Sequence, residues 1–271
     1  MCPICMNSNL FIFAIIKDCK IYQCEHCQHQ FIKETADYEK IYNDSYFNGA
    51  EGGYPNYLEN ADQLIIQGQW YANLLKKYIK PGHLLDVGAA SGHILKGFTE
   101  NGWTGVGLEP NKTMVDYGRK VLGLTMVNEG IETFETKEKF DLVTVIQVIS
   151  HLSGINVAIE KAAEMTKPGG LLLIETWRRD SLVYRLSGMH WHEYNPPSVR
   201  HWFLRKNVDL LVSKYGYSEI SHGMRIKKIK GNFSKSMFQH PLLRWMTAII
   251  PNQINIPYPG DDLFWSLYEK N

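Results

Sequence analysis

Apolar runs alternate with amphipathic stretches along the chain from residue 83 onward. The apolar runs predict strands, which cover residues 84–88, 105–109, 124–128, 140–148, 171–175 and 218–225. The amphipathic stretches predict helices, which cover residues 93–101, 112–122, 156–166 and 198–215. The predicted strands are apolar at successive positions, as expected when helices cover both faces of a sheet. The pattern therefore predicts an α/β fold built on a parallel sheet.

Stretches outside this alternation predict further elements. Helical spacing of apolar residues over 61–79 predicts a helix. Residues 33–60 are polar and rich in Tyr and Gly, a composition typical of either a lid or an ordered linker. Residues 263–270 predict a final strand, preceded by an insertion at 227–259 that carries a basic patch and an apolar helix. The predicted domains are residues 1–32, 33–80 and 81–271.

Four of the five cysteines form two Cys-x-x-Cys pairs, Cys2 with Cys5 and Cys24 with Cys27. Two pairs at this spacing, with two short strand-like runs between them, predict a zinc ribbon. Because thiolates fill all four ligand positions, the Zn²⁺ is predicted to be structural and not catalytic. Two disulfides, free thiols or a thioredoxin-like redox pair remain as alternatives, and Cys19 is not expected to be a ligand.

Composition and charge argue against several classes of function. The 271 residues are 44% hydrophobic and carry a formal net charge of +1, so the overall charge gives no reason to expect nucleic acid as a partner. No apolar run reaches the ~18 residues that a membrane-spanning helix needs, and no secretory signal is recognised near the start. These features predict a cytoplasmic protein without a membrane span.

A turn rich in glycine and alanine follows the first predicted strand of the sheet, at residues 88–92. Glycines allow a ligand to approach the backbone, and an acid about 20 residues further on is suited to hold a ribose diol. Glu109 stands at that distance, at the end of the second predicted strand. The sequence therefore predicts a nucleoside-binding turn of the half-Rossmann type.

Four motifs in order resemble the class I S-adenosylmethionine-dependent methyltransferases. They are the segment 85–92, Glu109, the strand region 140–152 and the segment 167–174. With its two cysteine pairs, the chain is most similar to the bacterial branch that carries an N-terminal zinc ribbon. The resemblance implies a Rossmann-like seven-stranded sheet of order 3-2-1-4-5-7-6, with the last strand antiparallel. It also implies that S-adenosylmethionine binds outside the carboxyl ends of strands 1 and 4.

The same resemblance assigns the cofactor-binding residues. Asp86 orients the turn and the cofactor's ammonium group, Glu109 accepts hydrogen bonds from both ribose hydroxyls, and Tyr46 reaches over the cofactor. Ala90 replaces the middle glycine of the family motif, a departure that argues against a dinucleotide. For Ile131 and Tyr46, packing alone is the alternative. The full set is Asp86, Gly88, Ala89, Ala90, Gly92, Glu109, Pro110, Gly130, Ile131, Glu132, Gln147, Val148 and Tyr46.

Histidines after the fourth and fifth strands of the sheet are candidates for removing a proton from the methyl acceptor. His151 stands where the family commonly has Glu-His, and Ser150 replaces that glutamate. His190 and His192 lie in an aromatic-rich segment and are the preferred candidates for the base. A structural role is the alternative for each, and a metal site at His190 and His192 is not expected without a third ligand. His201, predicted on a helix, is expected to be structural.

The predicted function is O-methylation of a small molecule, such as a sugar, a glycan precursor or a secondary metabolite. C-methylation of a nucleotide-linked sugar is one alternative, although relatives of that type usually carry a further C-terminal domain. RNA methylation guided by the ribbon is a second alternative, which the few cations in residues 1–33 disfavour. A catalytically inactive scaffold is a third, which the intact Asp86 and Glu109 disfavour.

Overall fold

The computed structural model describes residues 1–34, 41–44, 46–48, 57–225, 228–230, 251, 255–257 and 260–271. These residues form one seven-stranded, one four-stranded and one two-stranded sheet. The strands are β1 (Leu10–Ile16), β2 (Cys19–Cys24), β3 (Gln30–Ile32), β4 (His83–Val87), β5 (Thr104–Leu108), β6 (Thr125–Val127), β7 (Phe140–Ile146), β8 (Thr166–Trp177), β9 (His201–Trp202), β10 (Tyr217–Met224), β11 (Lys228–Lys230), β12 (Asn255–Pro257) and β13 (Leu263–Lys270). The α-helices are α1 (Ala61–Leu75), α2 (His93–Thr99), α3 (Lys112–Lys120), α4 (Ile155–Met165), α5 (Leu182–Ser187) and α6 (Arg205–Ser213).

The large sheet has the order β6-β5-β4-β7-β8-β13-β10. The strands from β6 to β8 pair in parallel, and β13 is antiparallel to both β8 and β10. Counted from β4, this is the order 3-2-1-4-5-7-6 with strand 7 antiparallel, so the predicted sheet is confirmed. The order reverses at β4, and a crevice at such a reversal is where ligands bind in open α/β sheets.

Alternating side chains of β8 divide the core into two layers. Leu171 and Leu173 belong to a buried cluster that includes residues of α1 and α2. Leu172 and Ile174 point to the other face and belong to a cluster that includes residues of α4 and α6. Helices on both faces require apolar residues at successive strand positions, which is the pattern in the sequence.

The N-terminal ribbon is joined to the rest of the chain by strand pairing. β1, β2 and β3 form an antiparallel sheet, and β9 extends it by pairing with β3. In this pairing Gln30 lies opposite Trp202, and Phe31 lies opposite His201. The two strands predicted in the ribbon correspond to β1 and β2. Strands β3 and β9 were missed because they have only three and two residues, too few to leave a periodic signal.

The helix predicted over residues 198–215 is wrong in its first half. Helix α6 begins only at Arg205, and His201 lies on strand β9, so the expectation that His201 is helical is also wrong. The side chain of Asn207 accepts a hydrogen bond from Leu204 N at 2.8 Å and marks the start of the helix. The residues before it pair with the ribbon, and a tertiary contact of this kind overrides local propensity.

Strand β8 begins earlier than the sequence predicted. The predicted strand began at residue 171, whereas residues 166–170 also lie within β8. The parallel register shifts between the pair Phe140–Thr166 and the pair Leu142–Leu171, so the intervening residues form a bulge. A proline is tolerated there because residues in a bulge do not need to donate to the ladder.

Parts of the insertion and of the lid or linker are described. In the insertion, β11 and β12 pair in antiparallel fashion, so its two ends lie side by side. The apolar helix predicted inside the insertion lies outside the described residues. Between residues 33 and 60, the described parts are 33–34, 41–44, 46–48 and 57–60. None of the described helices combines the length and the apolar character that crossing a membrane requires.

Candidate active site

The carboxyl ends of β4, β5 and β7 bring the predicted cofactor residues together. The glycine-containing turn, residues 88–92, follows β4, Glu109 follows β5, and Gln147 follows β7. Parallel neighbours end at the same edge of a sheet, so the turn lies between the two other strand ends. These three strand ends and the loops that follow them form the cofactor edge.

Glu109 is fixed by two backbone N–H groups. It is only 5% exposed; its Oε2 accepts a hydrogen bond from Ala90 N, and its Oε1 accepts one from Asn111 N, both at 2.9 Å. Burial raises the pKa of Glu109 to about 7, although both hydrogen bonds act in the opposite direction. An ionised carboxylate accepts about four hydrogen bonds, so each oxygen retains a lone pair for one hydroxyl of a ribose.

Asp86 is the second buried carboxyl group of the cofactor edge. Its Oδ1 accepts a hydrogen bond from Thr144 Oγ1 at 2.6 Å, which ties β4 to β7 where the strand order reverses. Burial raises the pKa of Asp86 to about 7. Its other oxygen, Oδ2, makes no hydrogen bond with the described residues and is suited to a cationic group such as an ammonium.

Gly88 allows the turn to pass close to the end of β7. Its φ is +68°, and a Cβ built on it lies 2.5 Å from Val148 Cγ2, so a larger residue would be strained and would clash. Ala90 and Gln147 adopt φ values of +46° and +57°, which are uncommon for residues with a Cβ. From the sequence, the glycine at position 88 was expected to let a ligand approach the backbone. The structure adds a second reason, the close contact with Val148.

The loop after β6 lies against Pro110. A Cβ built on Gly130 lies 3.2 Å from Glu132 Oε2 and 3.9 Å from Pro110 Cγ. Asn128 Nδ2 donates to Pro110 O at 2.6 Å and holds the two loops together. Ile131, by contrast, is 2% exposed and belongs to the main core cluster.

Asn111 fastens a described part of the predicted lid or linker to the cofactor edge. Its Nδ2 donates to Tyr42 O at 2.9 Å and to Asp44 Oδ1 at 3.1 Å. Its Oδ1 accepts a hydrogen bond from Met114 N at 2.9 Å and caps helix α3. One side chain therefore holds both the start of helix α3, beside Glu109, and residues 42–44.

Tyr46 packs against the turn, and its place over the cofactor stays a prediction. It is buried and belongs to one cluster with Ala90. Burial, and after it the negative charges of Glu193 and Glu109, raise the pKa of Tyr46 above its usual value. Tyr46 therefore lies near both the cofactor edge and the aromatic-rich segment that contains Glu193.

His151 lies at the end of β7, on a short 3₁₀ turn (Ile149–His151). Its Nδ1 is 2.8 Å from the carbonyl oxygen of Ser198. Because a carbonyl only accepts, Nδ1 carries the proton and Nε2 carries the lone pair. Burial lowers the pKa of His151 below its usual value, against the opposing effect of this hydrogen bond, so the ring is neutral at pH 7. No hydrogen bond from the described residues engages Nε2.

His190 and His192 lie beside the end of β8, in the aromatic-rich segment. His190 is exposed, on the 3₁₀ turn Gly188–His190. His192 is half-buried; its Nε2 lies 3.5 Å from Glu193 Oε1, and its ring packs edge-on against Trp177 with the ring centroids 4.7 Å apart. The histidine candidates thus divide between the end of β7 and the end of β8.

The carboxylate of Glu175, on β8, is fully buried and connects the loop after β7 with helix α1. Its Oε1 accepts hydrogen bonds from Gln67 Nε2 at 2.9 Å and from Gln147 Nε2 at 2.7 Å. Its Oε2 accepts from Tyr71 Oη and from Arg225 Nε, the latter at 3.3 Å. Four donors occupy the carboxylate, so Glu175 is not placed to act as a base; it holds Gln147 and α1 in position instead.

The four predicted zinc ligands form one cluster in the ribbon. The Sγ atoms of Cys2, Cys5, Cys24 and Cys27 all lie within 4.8 Å of one another. The Cys2–Cys27 and Cys5–Cys24 Sγ distances are both 3.5 Å, too long for the ~2.05 Å of a disulfide. A tetrahedral Zn²⁺ with bonds of about 2.3 Å to sulfur separates its ligands by about 3.8 Å. The donor set and the size of the cluster therefore fit a structural zinc ion.

Comparison with known proteins agrees with this geometry. A family model that describes a methyltransferase domain matches residues 57–222, more than half of the chain. The chain belongs to this methyltransferase family. The prediction of a class I S-adenosylmethionine-dependent methyltransferase is confirmed at the level of the family and the fold.

Two curated relatives of the methyltransferase are both named ubiquinone biosynthesis O-methyltransferase. The protein from Rhodopseudomonas palustris (strain BisB18) is 26% identical over 109 residues, which are 38% of this chain and 43% of the relative. The protein from Chelativorans sp. (strain BNC1) is 32% identical over 106 residues, which are 35% of this chain and 40% of the relative. The chain thus spans about two-fifths of the length of these relatives.

Solved structures share the fold of the methyltransferase at low sequence identity. A putative methyltransferase of Bacillus halodurans C-125 has a TM-score of 0.58 at 12% identity, covering 74% of this chain and 98% of that one. A Thermotoga maritima methyltransferase, described as a possible histamine N-methyltransferase, has a TM-score of 0.57 at 17% identity, covering 83% and 98%. The plantazolicin methyltransferase, solved with S-adenosylhomocysteine, has a TM-score of 0.55 at 14% identity, covering 87% and 90%.

Several residues of the methyltransferase site were missed by sequence reasoning. Thr144 lies inside an apolar strand, and Tyr42 and Asn111 lie in loops, so nothing in the pattern marks them. Glu175 did carry a signal, because it is an acid at the carboxyl end of an apolar run, as Glu109 is. The donors that surround Glu175 come from distant parts of the chain and have no shared motif.

Proposed function

We propose that this methyltransferase transfers a methyl group from S-adenosylmethionine to a hydroxyl group of a small molecule, with His151 as the general base. One observation carries the proposal: His151, in the turn that follows β7, donates Nδ1–H to Ser198 O at 2.8 Å, and this hydrogen bond leaves the lone pair on Nε2. The name of the curated relatives supports O-methylation of a small molecule. A sugar, a glycan precursor or a secondary metabolite is the class of acceptor that we propose.

The cofactor edge fits S-adenosylmethionine on the chemistry of its donors and acceptors. Glu109 offers one acceptor position on each oxygen, which matches the two hydroxyls of a ribose. Asp86 Oδ2 is suited to the ammonium of the methionine part. We propose that Pro110, Gly130 and Glu132 lie beside the adenine, since the structure packs these three together.

The chemistry required of the protein is orientation and proton removal. When bound, S-adenosylmethionine supplies an electrophilic methyl group on a positively charged sulfur. His151 Nε2 would accept the proton of the acceptor's hydroxyl as its oxygen takes the methyl group, and the sulfur would keep the electron pair of the C–S bond. Ser198 O stabilises the resulting imidazolium through Nδ1–H. The catalytic protonation cycle closes when the imidazolium releases its proton to water.

We also propose that the cysteine cluster holds a structural Zn²⁺ and that the ribbon does not guide the enzyme to RNA. β3 is paired with β9 on one side and with β2 on the other, so its backbone is fully used. Residues 1–33 carry few cations with which to contact a phosphate backbone. C-methylation of a nucleotide-linked sugar stays an alternative outcome of the test below.

The test has a binding step and a product step. Calorimetry with S-adenosylhomocysteine should show one site per chain, and absence of binding would reject the proposal. The zinc-loaded protein is then incubated with methyl-¹³C-labelled S-adenosylmethionine and a panel of free sugars, nucleotide-linked sugars and phenols. A methyl resonance at the shift of a methoxy carbon identifies an O-methyl product; a C-methyl resonance would replace O-methylation by the alternative.

His151→Asn tests the assignment of the base. Asn Nδ2 retains a donor for Ser198 O but has no basic nitrogen, so kcat should fall by about 10²–10⁴-fold with little change in S-adenosylhomocysteine affinity. His190→Asn is the matched control and should retain kcat within a few-fold, since His190 is exposed. Equal kcat values for wild type and His151→Asn would contradict the assignment.

A further inference from the structure

Three consecutive residues around His151 are held by the segment 198–201. Ser150 O accepts a hydrogen bond from Arg200 N at 2.8 Å, and His151 Nδ1 donates to Ser198 O at 2.8 Å. His201 Nε2 donates to Leu152 O at 3.1 Å. The orientation of His151 therefore depends on a segment almost fifty residues further along the chain.

That segment is in turn held by the ribbon. Ile32 N donates to Arg200 O at 3.0 Å, and β3 pairs with β9, with Phe31 opposite His201. The main-chain groups of Arg200 thus bind the ribbon through O and the turn of His151 through N. A strand of two residues (His201–Trp202) separates the cysteine-containing ribbon from the proposed base.

Two buried histidines reinforce this connection. His29 Nε2 and His201 Nδ1 are 3.1 Å apart, and the two side chains belong to residues that are 0% and 5% exposed. Since Leu152 O only accepts, His201 Nε2 carries its proton and Nδ1 accepts; His29 Nε2 therefore donates. The rings stack with centroids 5.3 Å apart.

His29 is fixed by the cysteine-containing turn itself. Cys24 N donates to His29 O at 3.0 Å. Asn207 Nδ2, on helix α6, donates to Cys27 O at 2.9 Å. A continuous set of hydrogen bonds thus runs from the cysteine cluster through His29 and His201 to Leu152, the residue after His151.

We infer that the ribbon positions the base: His201, held by His29, is a positioning residue that fixes the 3₁₀ turn of His151 and the carbonyl of Ser198. The inference rests on the proposed role of His151. The ribbon then contributes to the reaction from within the same chain. Substitutions on the ribbon side of the connection, such as at His29, are expected to slow the chemical step without weakening cofactor binding.

The test replaces the middle of the connection in the full-length, zinc-loaded protein. His201→Phe keeps the aromatic volume and removes both hydrogen bonds. His201→Gln keeps an amide N–H for Leu152 O and an oxygen for His29 Nε2. The control is His26→Gln, an exposed ribbon histidine that takes no part in the connection.

Two readouts do not need the acceptor. Long-range ¹H–¹⁵N spectra of ¹⁵N-histidine protein report the His151 tautomer, with the His151→Asn spectrum providing the assignment. Hydrogen exchange measured by mass spectrometry reports the amides of residues 149–152. His201→Phe should lose the fixed tautomer signal and speed exchange at 149–152 at least tenfold, and His201→Gln should restore both.

Activity and cofactor binding complete the test. His201→Phe should lower kcat at least tenfold while the Kd for S-adenosylhomocysteine stays within twofold, and His201→Gln should recover most of the kcat. If His201→Phe does not fold, His29→Leu removes the donor to His201 while the main-chain bond to Cys24 remains, and the same results are expected.

Unchanged His151 signals and exchange in His201→Phe or His29→Leu would overturn the inference. Equal losses in His201→Phe and His201→Gln would also overturn it, because packing alone would then explain the effect. Failure of the proposed function is distinguishable: wild-type protein would not bind S-adenosylhomocysteine, whereas the tautomer and exchange measurements would still report on positioning.

Discussion

Glu109→Gln replaces one of two carboxylate oxygens with an amide group that donates. Both oxygens accept buried N–H groups, from Ala90 and Asn111 at 2.9 Å, so one of these donors loses its partner. An unsatisfied buried donor costs about 1–3 kcal/mol, which is the expected loss of folding stability. The substitution also removes one charge-assisted hydrogen bond to the ribose, worth about 1.5–3 kcal/mol.

For S-adenosylhomocysteine, that loss corresponds to a Kd about 10–150-fold higher, at 1.4 kcal/mol per tenfold change. Calorimetry at pH 8 measures the Kd, and urea unfolding measures stability. Glu129→Gln makes the same change of charge at an exposed position in the loop after β6 and should alter neither quantity. A Kd for Glu109→Gln within twofold of wild type would refute the role of Glu109 and the location of the ribose.

Four more predictions concern the buried carboxyls of the cofactor edge, Tyr71 and the cysteine cluster. The two buried carboxyls of the cofactor edge have a pKa of about 7; since binding needs their ionised forms, calorimetry should show S-adenosylhomocysteine affinity falling as pH drops from 8 to 6, about tenfold per group, and a pH-independent Kd would contradict this. The free energy of unfolding should change in the opposite direction. Because folding raises the pKa of Glu109, the contribution of this group to stability decreases as pH rises from about 4.5 to 7. Tyr71→Phe, which removes a buried hydrogen bond to Glu175, should cost about 1.5–3 kcal/mol in urea unfolding, whereas Tyr78→Phe at an exposed site should cost less than about 0.5 kcal/mol. Metal analysis should find one zinc per wild-type or Cys19→Ser chain and none in Cys24→Ser, with a lower melting temperature; full zinc in Cys24→Ser would exclude the proposed ligand set.

The sheet was predictable because its information is local. Strands β4, β5, β7 and β8 are apolar runs of five residues or more, long enough to recognise, and Glu109 stands at a fixed distance from the turn that it supports. Family resemblance then supplied the strand order, which periodicity alone does not determine. The cysteine pairs could also be recognised from the sequence, since their spacing alone indicates a tetrahedral metal site.

The acceptor side was less predictable because its contacts join distant parts of the chain. β9 has two residues and depends on pairing with β3, about 170 residues earlier, so a helix was predicted in its place. The tautomer of His151 is set by Ser198 O, a main-chain atom that no sequence pattern reports. Glu175 shows the intermediate case: its position was visible, but its four donors were not.

A crystal structure of the protein with S-adenosylhomocysteine would show directly whether the ribose binds Glu109. We expect that the ribose hydroxyls lie within hydrogen-bond distance of the two Glu109 oxygens and that the sulfur points toward His151 Nε2. We also expect that His151 Nδ1 remains bonded to Ser198 O in the complex. A nucleoside bound away from Glu109, or a His151 ring turned so that Nε2 bonds to the protein, would contradict these expectations.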